Sequence, residues 1–418
     1  MRLGDVLAEL GLASASPALA PEWDLSQAAM PEGDLCFLAP DFVRSSCAEL
    51  GAPDHIAQAA ARAAELIAAS DPLRALIWHL HCRLYQTKTA GWDDICGWPT
   101  LEASLGADAG LFYLVLVISN LPTMKQVHRA HGVPETVIRD TMRDFDFWLS
   151  TRAESPGLTP VNVAWLSNHL GGDIYRLGRL QFQFAPCQYE LRVFRHRTSR
   201  AVLALSADGV HYNAGGQRCA SGEDQDGWTA RLTITDEAIA GYPILPVGEA
   251  VAREVILRTD EWQTVLTKGD PVLNIHIPGG APLAHDLCGD SIRQAFAFFP
   301  RHFPERPFVA LCCGSWILNT WLQAALPPTA NLVRFQREFY LFPISLSGEW
   351  MVRQAFGSVP KDMSQAPRDT QLRRALLDRL TSGQPVPTGG GGCFMFAEDF
   401  RWGEQVYLSQ QLPFGLRS

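Results

Sequence analysis

Near residue 155 the hydrophobic period of the chain changes, and this switch limits what the chain can fold into. Before it, apolar residues recur at three- and four-residue spacing. The Ala-rich run 54–70, DHIAQAAARAAELIAAS, predicts a helix with Asp54 as its N-cap. The next run, 71–86, opens with Pro72 at the first helical position, where a missing N–H costs nothing. LFYLVLVISNLPTMKQVHRAHG (111–132) reads as a buried helix, a break at Pro122, and a second helix closed by Gly132. Val137, Ile138, Met142, Phe145 and Leu149 continue the helical period. At the N-terminus, Asp5 and Glu9 interrupt the apolar positions Val6, Leu7, Leu10 and Leu12, and Arg2 is the one basic residue. An amphipathic helix is expected there rather than a secretory leader.

After the turn-rich SPGLTPVN (155–162) come short runs of β type: RLQFQFA (179–185), YELRVFRH (189–196), AVLALSADGVHYNAG (201–215), TARLTITD (229–236), PVLNIHIP (271–278), PFVALCCGS (307–315) and NLVRFQREFYLFPIS (331–345). Asp208-Gly209 is placed to turn a hairpin. Between the later runs, Leu283, Leu287, Ile292, Ala295, Phe296 and Phe299 repeat as a helix does, and so do Ile317, Trp321, Leu322 and Ala325. The fold class is therefore α+β. An all-helical N-terminal domain (1–155) precedes a mixed, mostly antiparallel sheet domain with flanking helices (156–354), and an extension (355–418) packs on the latter. The extension carries one charged helix, RDTQLRRALLDRLTSG. It also carries TGGGGCF, which lacks the Lys-Ser/Thr of a P-loop and is expected to form a mobile loop.

Charge and cysteine use exclude several classes of function. A net charge of −9 opposes general nucleic-acid binding, which needs a basic face. No uninterrupted apolar run reaches the ~18 residues of a membrane helix. None of the ten cysteines lies in a C-x-x-C pair, so reduced thiols and a cytoplasmic location are expected. His79 and His81 stand two apart on a helix and diverge, which predicts core packing; no metal is expected.

The chemistry concentrates where PVLNIHIP stops at Pro278-Gly279-Gly280 and a helical pattern begins. A strand ending in glycines just before a helix leaves main-chain N–H groups unpaired, at the positive end of the helix. Those of Gly279, Gly280 and Ala281 could grip an anion, whereas Pro278 and Pro282 supply none. A plain turn is the competing reading.

The order strand, glycine loop, helix, strand, helix, strand resembles the centre of the GNAT superfamily of acyl-CoA-dependent N-acyltransferases. More closely, the chain resembles a bacterial family that joins a helical N-acyltransferase N-terminal domain to a GNAT-like C-terminal domain. The matching stretches are GVPETVIRDTMRDFDFWL, YRLGRLQFQ, GDPVLNIHIPGGAPL, CGSWILNTWLQAALPPTANLVRFQREFYLFP and RDTQLRRALLDRLTSG, spread over 132–384. The resemblance implies transfer of an acyl group, acetyl or longer, from acyl-CoA to an amine acceptor by direct attack. It assigns Ile277, Gly279, Gly280 and Ala281 to the coenzyme loop. Arg293 and Arg179 are expected to add charge at the phosphates, and Trp316 to line the acyl or pantetheine channel. His276 is the expected base, with a buried structural histidine as the alternative, and Ser315 and Asn319 lie where the cofactor arm passes. Asn331 and Gln336, in the final strand region, are placed to orient a ligand amide. The loop departs from the GNAT pattern Q/R-x-x-G-x-G/A, since Ile277-Pro278-Gly279-Gly280-Ala281-Pro282 lacks the leading residue. No tyrosine occupies the position of the GNAT acid, and Tyr340 is near only in sequence.

Two further readings stay open at this level. One is a non-catalytic CoA- or ligand-binding module that keeps the fold. The other is a hydrolase or transferase using Cys313, with His276 or His285 near. Monomer and homodimer are both compatible with the sequence.

Overall fold

The computed structural model describes residues 1–150, 157–384 and 389–416. The chain divides into two compact units, 1–177 and 178–418.

The first unit is built around its most apolar helix, Ala109–Ile118, whose residues from Leu111 to Ile118 are all buried. Asp54–Ala69 and Asp71–His81 pack against it. The stretch 102–130 is long and apolar enough to cross a membrane by composition, but two-thirds of its most apolar 18-residue window is buried in this core. The chain breaks at Pro122, near the start of Leu121–Ala130, and leaves that helix through Gly132 at φ +61°. Val6, Leu7, Leu10 and Leu12 of the N-terminal segment are buried. Asp54 is not a cap: Pro53 holds that position and Asp54 is the first helical residue. The boundary expected near 155 falls among residues outside those described. The unit includes one more helix, Pro160–Leu170, capped by Thr159, and it ends with the strand Ile174–Leu177. Asn120 Nδ2 donates to the Leu170 carbonyl at 2.7 Å, which ties that helix to the core.

His79 and His81 are structural. Their Nδ1 atoms lie 2.8 Å from Ser26 Oγ and 2.7 Å from Ser119 Oγ. Burial pushes both imidazoles, and that of His128, down to about 4. The unfolded chain binds these protons below about pH 6.5, and the folded chain resists them until about pH 4. Stability contributed by the neutral rings is therefore present above pH 6.5 and lost as pH falls from 6.5 to 4. We predict a steep drop in melting temperature across that window. His81→Phe should flatten it by about 2 kcal/mol between pH 7 and pH 5, measured by denaturant titration at the two pH values.

The second unit holds the principal sheet. Its strands are β1 (Leu180–Pro186), β2 (Pro271–His276), β3 (Ala310–Ser315), β4 (Tyr340–Ile344) and β5 (Gly390–Met395). They hydrogen-bond in the order β1-β2-β3-β5-β4, and only β2 and β3 are parallel. The helix α1 (His285–His302) covers one face, where Phe182 and Phe184 meet Phe299. A second antiparallel sheet includes Leu191–His196, Val202–Ser206 and Trp262–Thr267. Tyr340 bridges the two sheets: its hydroxyl donates to the Ile244 carbonyl and accepts from the Ala204 N–H.

Three expectations need correction. The glycine run is not a mobile loop but β5, an interior strand with every residue buried. A Cβ on Gly391 would lie 1.8 Å from the Leu318 carbonyl oxygen, and one on Gly392 2.0 Å from the Phe342 ring. Glycine is needed there because neighbours occupy the space of a side chain. Second, NLVRFQR is not strand but the helix α2 (Asn331–Arg337), which buries Val333, Phe335 and Gln336. Third, the turn at Asp208-Gly209 leads into His211–Tyr212, which pairs with Trp228–Thr229 and not with Val202–Ser206.

Candidate active site

The parallel pair β2 and β3 bonds only from Val272–Asn274 to Ala310–Cys312. Past that point β2 continues on β1 as far as His276, and β3 on β5 as far as Ser315. The two strands part at their carboxyl ends, where ligands of parallel sheets bind. Ile277 follows β2, half-buried, and leads into the loop.

Gly279 and Gly280 are exposed, and a Cβ added to either meets nothing within 4 Å. Gly280 takes φ +82°, a left-handed conformation that favours glycine. Among the described residues, no hydrogen bond uses the N–H of Gly279, Gly280 or Ala281. α1 begins at His285 without a side-chain cap, and Asp286 is the acidic residue of its first turn. The loop thus presents open main-chain donors, as an anion site requires.

Its carbonyls are held from the other side. Arg179, only 8% exposed, donates from Nε to the Pro282 carbonyl (2.9 Å) and from Nη2 to the Ala281 carbonyl (2.7 Å). It was expected at the phosphates; here it anchors the loop through these two carbonyls. The start of α1 is fixed as firmly. His285 Nε2 lies 2.9 Å from Glu338 Oε1, both side chains being buried. Arg334 and Trp402 approach His285 Nδ1, Trp402 also donates to the His285 carbonyl, and Glu338 accepts the Gly403 N–H. His285 is therefore engaged with Glu338 rather than paired with Cys313. Arg293 lies about two turns into α1, exposed, paired with Asp290 and facing the Phe400 ring. It too is spent on its own surroundings.

The register settles which way His276 faces. Asn274 and His276 share a face with their partners Gln183 and Gln181 on β1 and with Cys312 on β3. Leu273 and Ile275 share the opposite face with Phe182 and Phe184, which α1 covers. His276 Nε2 lies 2.8 Å from Gln183 Oε1. With that oxygen assigned as acceptor, Nε2 carries the proton and Nδ1 holds the basic lone pair.

Ser315, Asn319 and Trp316 take structural roles. Ser315 Oγ accepts from the Ile317 N–H and caps the short turn Trp316–Leu318. Asn319 is buried, donating to the Gly389 carbonyl (2.8 Å) and accepting from the Trp321 N–H (2.9 Å), which holds the entry to β5. Trp316 packs into an apolar cluster with Met351, Ala355 and Leu376. Gln336 donates to the carbonyls of Ile317 and Asn319, so it secures that turn; Asn331 opens α2.

Cys313 lies within a buried cluster of thiols. Cys313 is buried opposite Cys393, and Cys312 lies beside Cys187. The contact with Cys187 and burial push the Cys312 thiol well up, and burial does the same to Cys393. Sequence reasoning missed Tyr189. Its ring packs on Phe342, and its hydroxyl faces Gly314, where a Cβ would lie 2.9 Å away. Burial keeps that phenol protonated. The sequence pattern places it in the run YELRVFRH, whereas the strand begins only at Leu191. Among the described residues, no three His, Cys, Asp or Glu side chains form a metal site. A recess of about 650 Å³ around Arg200, Asp399 and Tyr407 is lined by none of the residues expected at the coenzyme site.

A sheet whose one parallel pair opens onto a glycine loop and a helix N-terminus is the architecture of a GNAT-like acyltransferase. The chain belongs to the family that joins an N-acyltransferase N-terminal domain, matched over residues 41–172, to a GNAT-like C-terminal domain, matched over 174–393. Similar solved structures include an acyltransferase in complex with decanoyl-CoA and teicoplanin (20% identity, TM-score 0.59) and an acyltransferase mutant in complex with octanoyl-CoA (21%, 0.59). A third is an acyltransferase with CoA and 10C-teicoplanin (20%, 0.58). Each similarity covers 94% of this chain and 99% of the other. At this identity the likeness is one of fold. No curated protein sequence matches the chain.

Proposed function

We propose that this protein transfers an acyl group from acyl-CoA to an amine by direct attack. The observation that carries the proposal is the set of open amides at Gly279, Gly280 and Ala281, beside the point where β2 and β3 part. Family membership and the acyl-CoA complexes of structurally similar proteins support it. In this reading the coenzyme diphosphate sits on the loop amides and the positive end of α1, and the thioester lies in the opening between the strands. His276 takes the proton of the attacking amine on Nδ1 as the C–N bond forms. The C–S bond then breaks, and the departing thiolate takes a proton from solvent. Neutral hydrogen-bonded groups, not a dedicated cation, bind the phosphates.

The test is to incubate the protein with acetyl-CoA or decanoyl-CoA and a panel of primary amines, following thiol release and product mass. The expected result is one N-acyl amide per thiol released, with no covalent acyl-enzyme. Failure of every acyl-CoA to bind at millimolar concentration would refute it.

A further inference from the structure

On the sheet face that carries His276, two carboxamides each leave one buried polar atom without a partner. Asn274 Oδ1 and Gln181 Nε2 are sealed from solvent and form no hydrogen bond among the described residues. Leaving a buried polar atom unpaired incurs the full cost of its desolvation, so an orphaned pair at one place calls for an explanation. Gln181 stands opposite His276, and Asn274 opposite Gln183. These four side chains form two diagonals of one patch. His276 and Gln183 bond along the first. Asn274 and Gln181 span the second, about 7–8 Å apart between backbones. Asn274 also occupies the last rung shared with β3, at Cys312, before the strands part.

We propose that Asn274 and Gln181 hold a secondary amide of the substrate, Asn274 accepting its N–H and Gln181 donating to its C=O. Each carboxamide has one donor end and one acceptor end, so the match survives exchange of O and N in both side chains together, with the substrate amide reversed. Two substrates of the proposed reaction contain such an amide: the pantetheine arm of CoA, and an acceptor amine of peptide type. The two residues are positioning residues, setting how far the reacting atoms lie from His276. The inference rests on the acyl-CoA reading above.

The near-isosteric variants Asn274→Leu and Gln181→Met remove the polar atoms and keep the shape, and each tests the idea if the other folds poorly. Calorimetry with CoA and with adenosine 3′,5′-diphosphate-type fragments lacking the arm gives the first arm. Acyl transfer to glycylglycine and to a simple alkylamine gives the second. If the coenzyme arm is held, CoA binding weakens at least tenfold while the arm-less nucleotide is unaffected. If the acceptor is held, CoA binding is unchanged and KM for glycylglycine rises at least tenfold, but not for the alkylamine. If both variants match wild type in both arms and melt at higher temperature, the amides are mere packing frustration and the inference is overturned. Wild-type protein that binds no CoA overturns the acyl-CoA reading itself, and this inference with it.

Discussion

Replacing Gly279 by aspartate is expected to raise the dissociation constant for CoA at least ~100-fold without changing the melting temperature. The fold should be indifferent to the substitution. A Cβ at Gly279 meets nothing within 4 Å, the residue is exposed, and its φ lies outside the left-handed region that Gly280 occupies. The coenzyme site should not be indifferent, because the new carboxylate stands beside the amides proposed to carry the diphosphate. Like charges ~4–5 Å apart at a partly exposed site repel by about 3–4 kcal/mol, which exceeds the ~2.8 kcal/mol of a hundredfold loss. Gly279→Ala adds bulk without charge and should cost much less. Calorimetric titration of the two variants separates an electrostatic site from a steric one. Equal and small losses in both would place the phosphates elsewhere.

The second large effect is expected at His276. Its replacement by alanine should lower kcat by about 10²–10⁴, the usual contribution of a positioned general base, with the affinity for CoA unchanged. The geometry behind this is the Nε2 contact to Gln183 at 2.8 Å, which leaves Nδ1 as the basic nitrogen. Gln183→Leu removes that contact and retains the imidazole. It should lower kcat less, by about tenfold, by releasing the ring from one tautomer and one orientation. A His276→Ala protein that keeps wild-type kcat under single-turnover conditions would reduce His276 to a structural histidine. The chemistry would then need another base, or none.

Much of the first unit could be read from sequence because burial there follows the helical period: Leu111–Ile118, the Pro122 break and the Gly132 exit appear where the pattern puts them. The loop junction was legible for a similar reason. An apolar run that ends in Pro-Gly-Gly ahead of a helical repeat has few local solutions. β5 was not legible. Glycine carries no side chain to show a period, and its necessity comes from the Leu318 carbonyl and the Phe342 ring, groups remote in sequence. α2 was hidden by the β-type composition of NLVRFQREFYLFPIS, in which only the second half is strand. Arg179 was expected at the phosphates; its bonds to the loop carbonyls depend on which carbonyls need a donor, which no sequence pattern states. The alternation of Gln181 and Gln183 with Leu180 and Phe182, and of Asn274 and His276 with Leu273 and Ile275, was written in the sequence. Its meaning needed the register, which sets the polar members of two distant strands on one face.

The central claim is that main-chain N–H groups of the glycine loop, and not a dedicated basic side chain, bind the diphosphate of the coenzyme. It is tested most directly by adding CoA to protein labelled with ¹⁵N-glycine, with the loop resonances assigned by single substitution. The account predicts that the Gly279 and Gly280 amides move downfield, as hydrogen bonding to an anion requires, and move further than those of the buried Gly391 and Gly392. Saturation with CoA, verified by calorimetry, while the Gly279 and Gly280 resonances stay in place would contradict it.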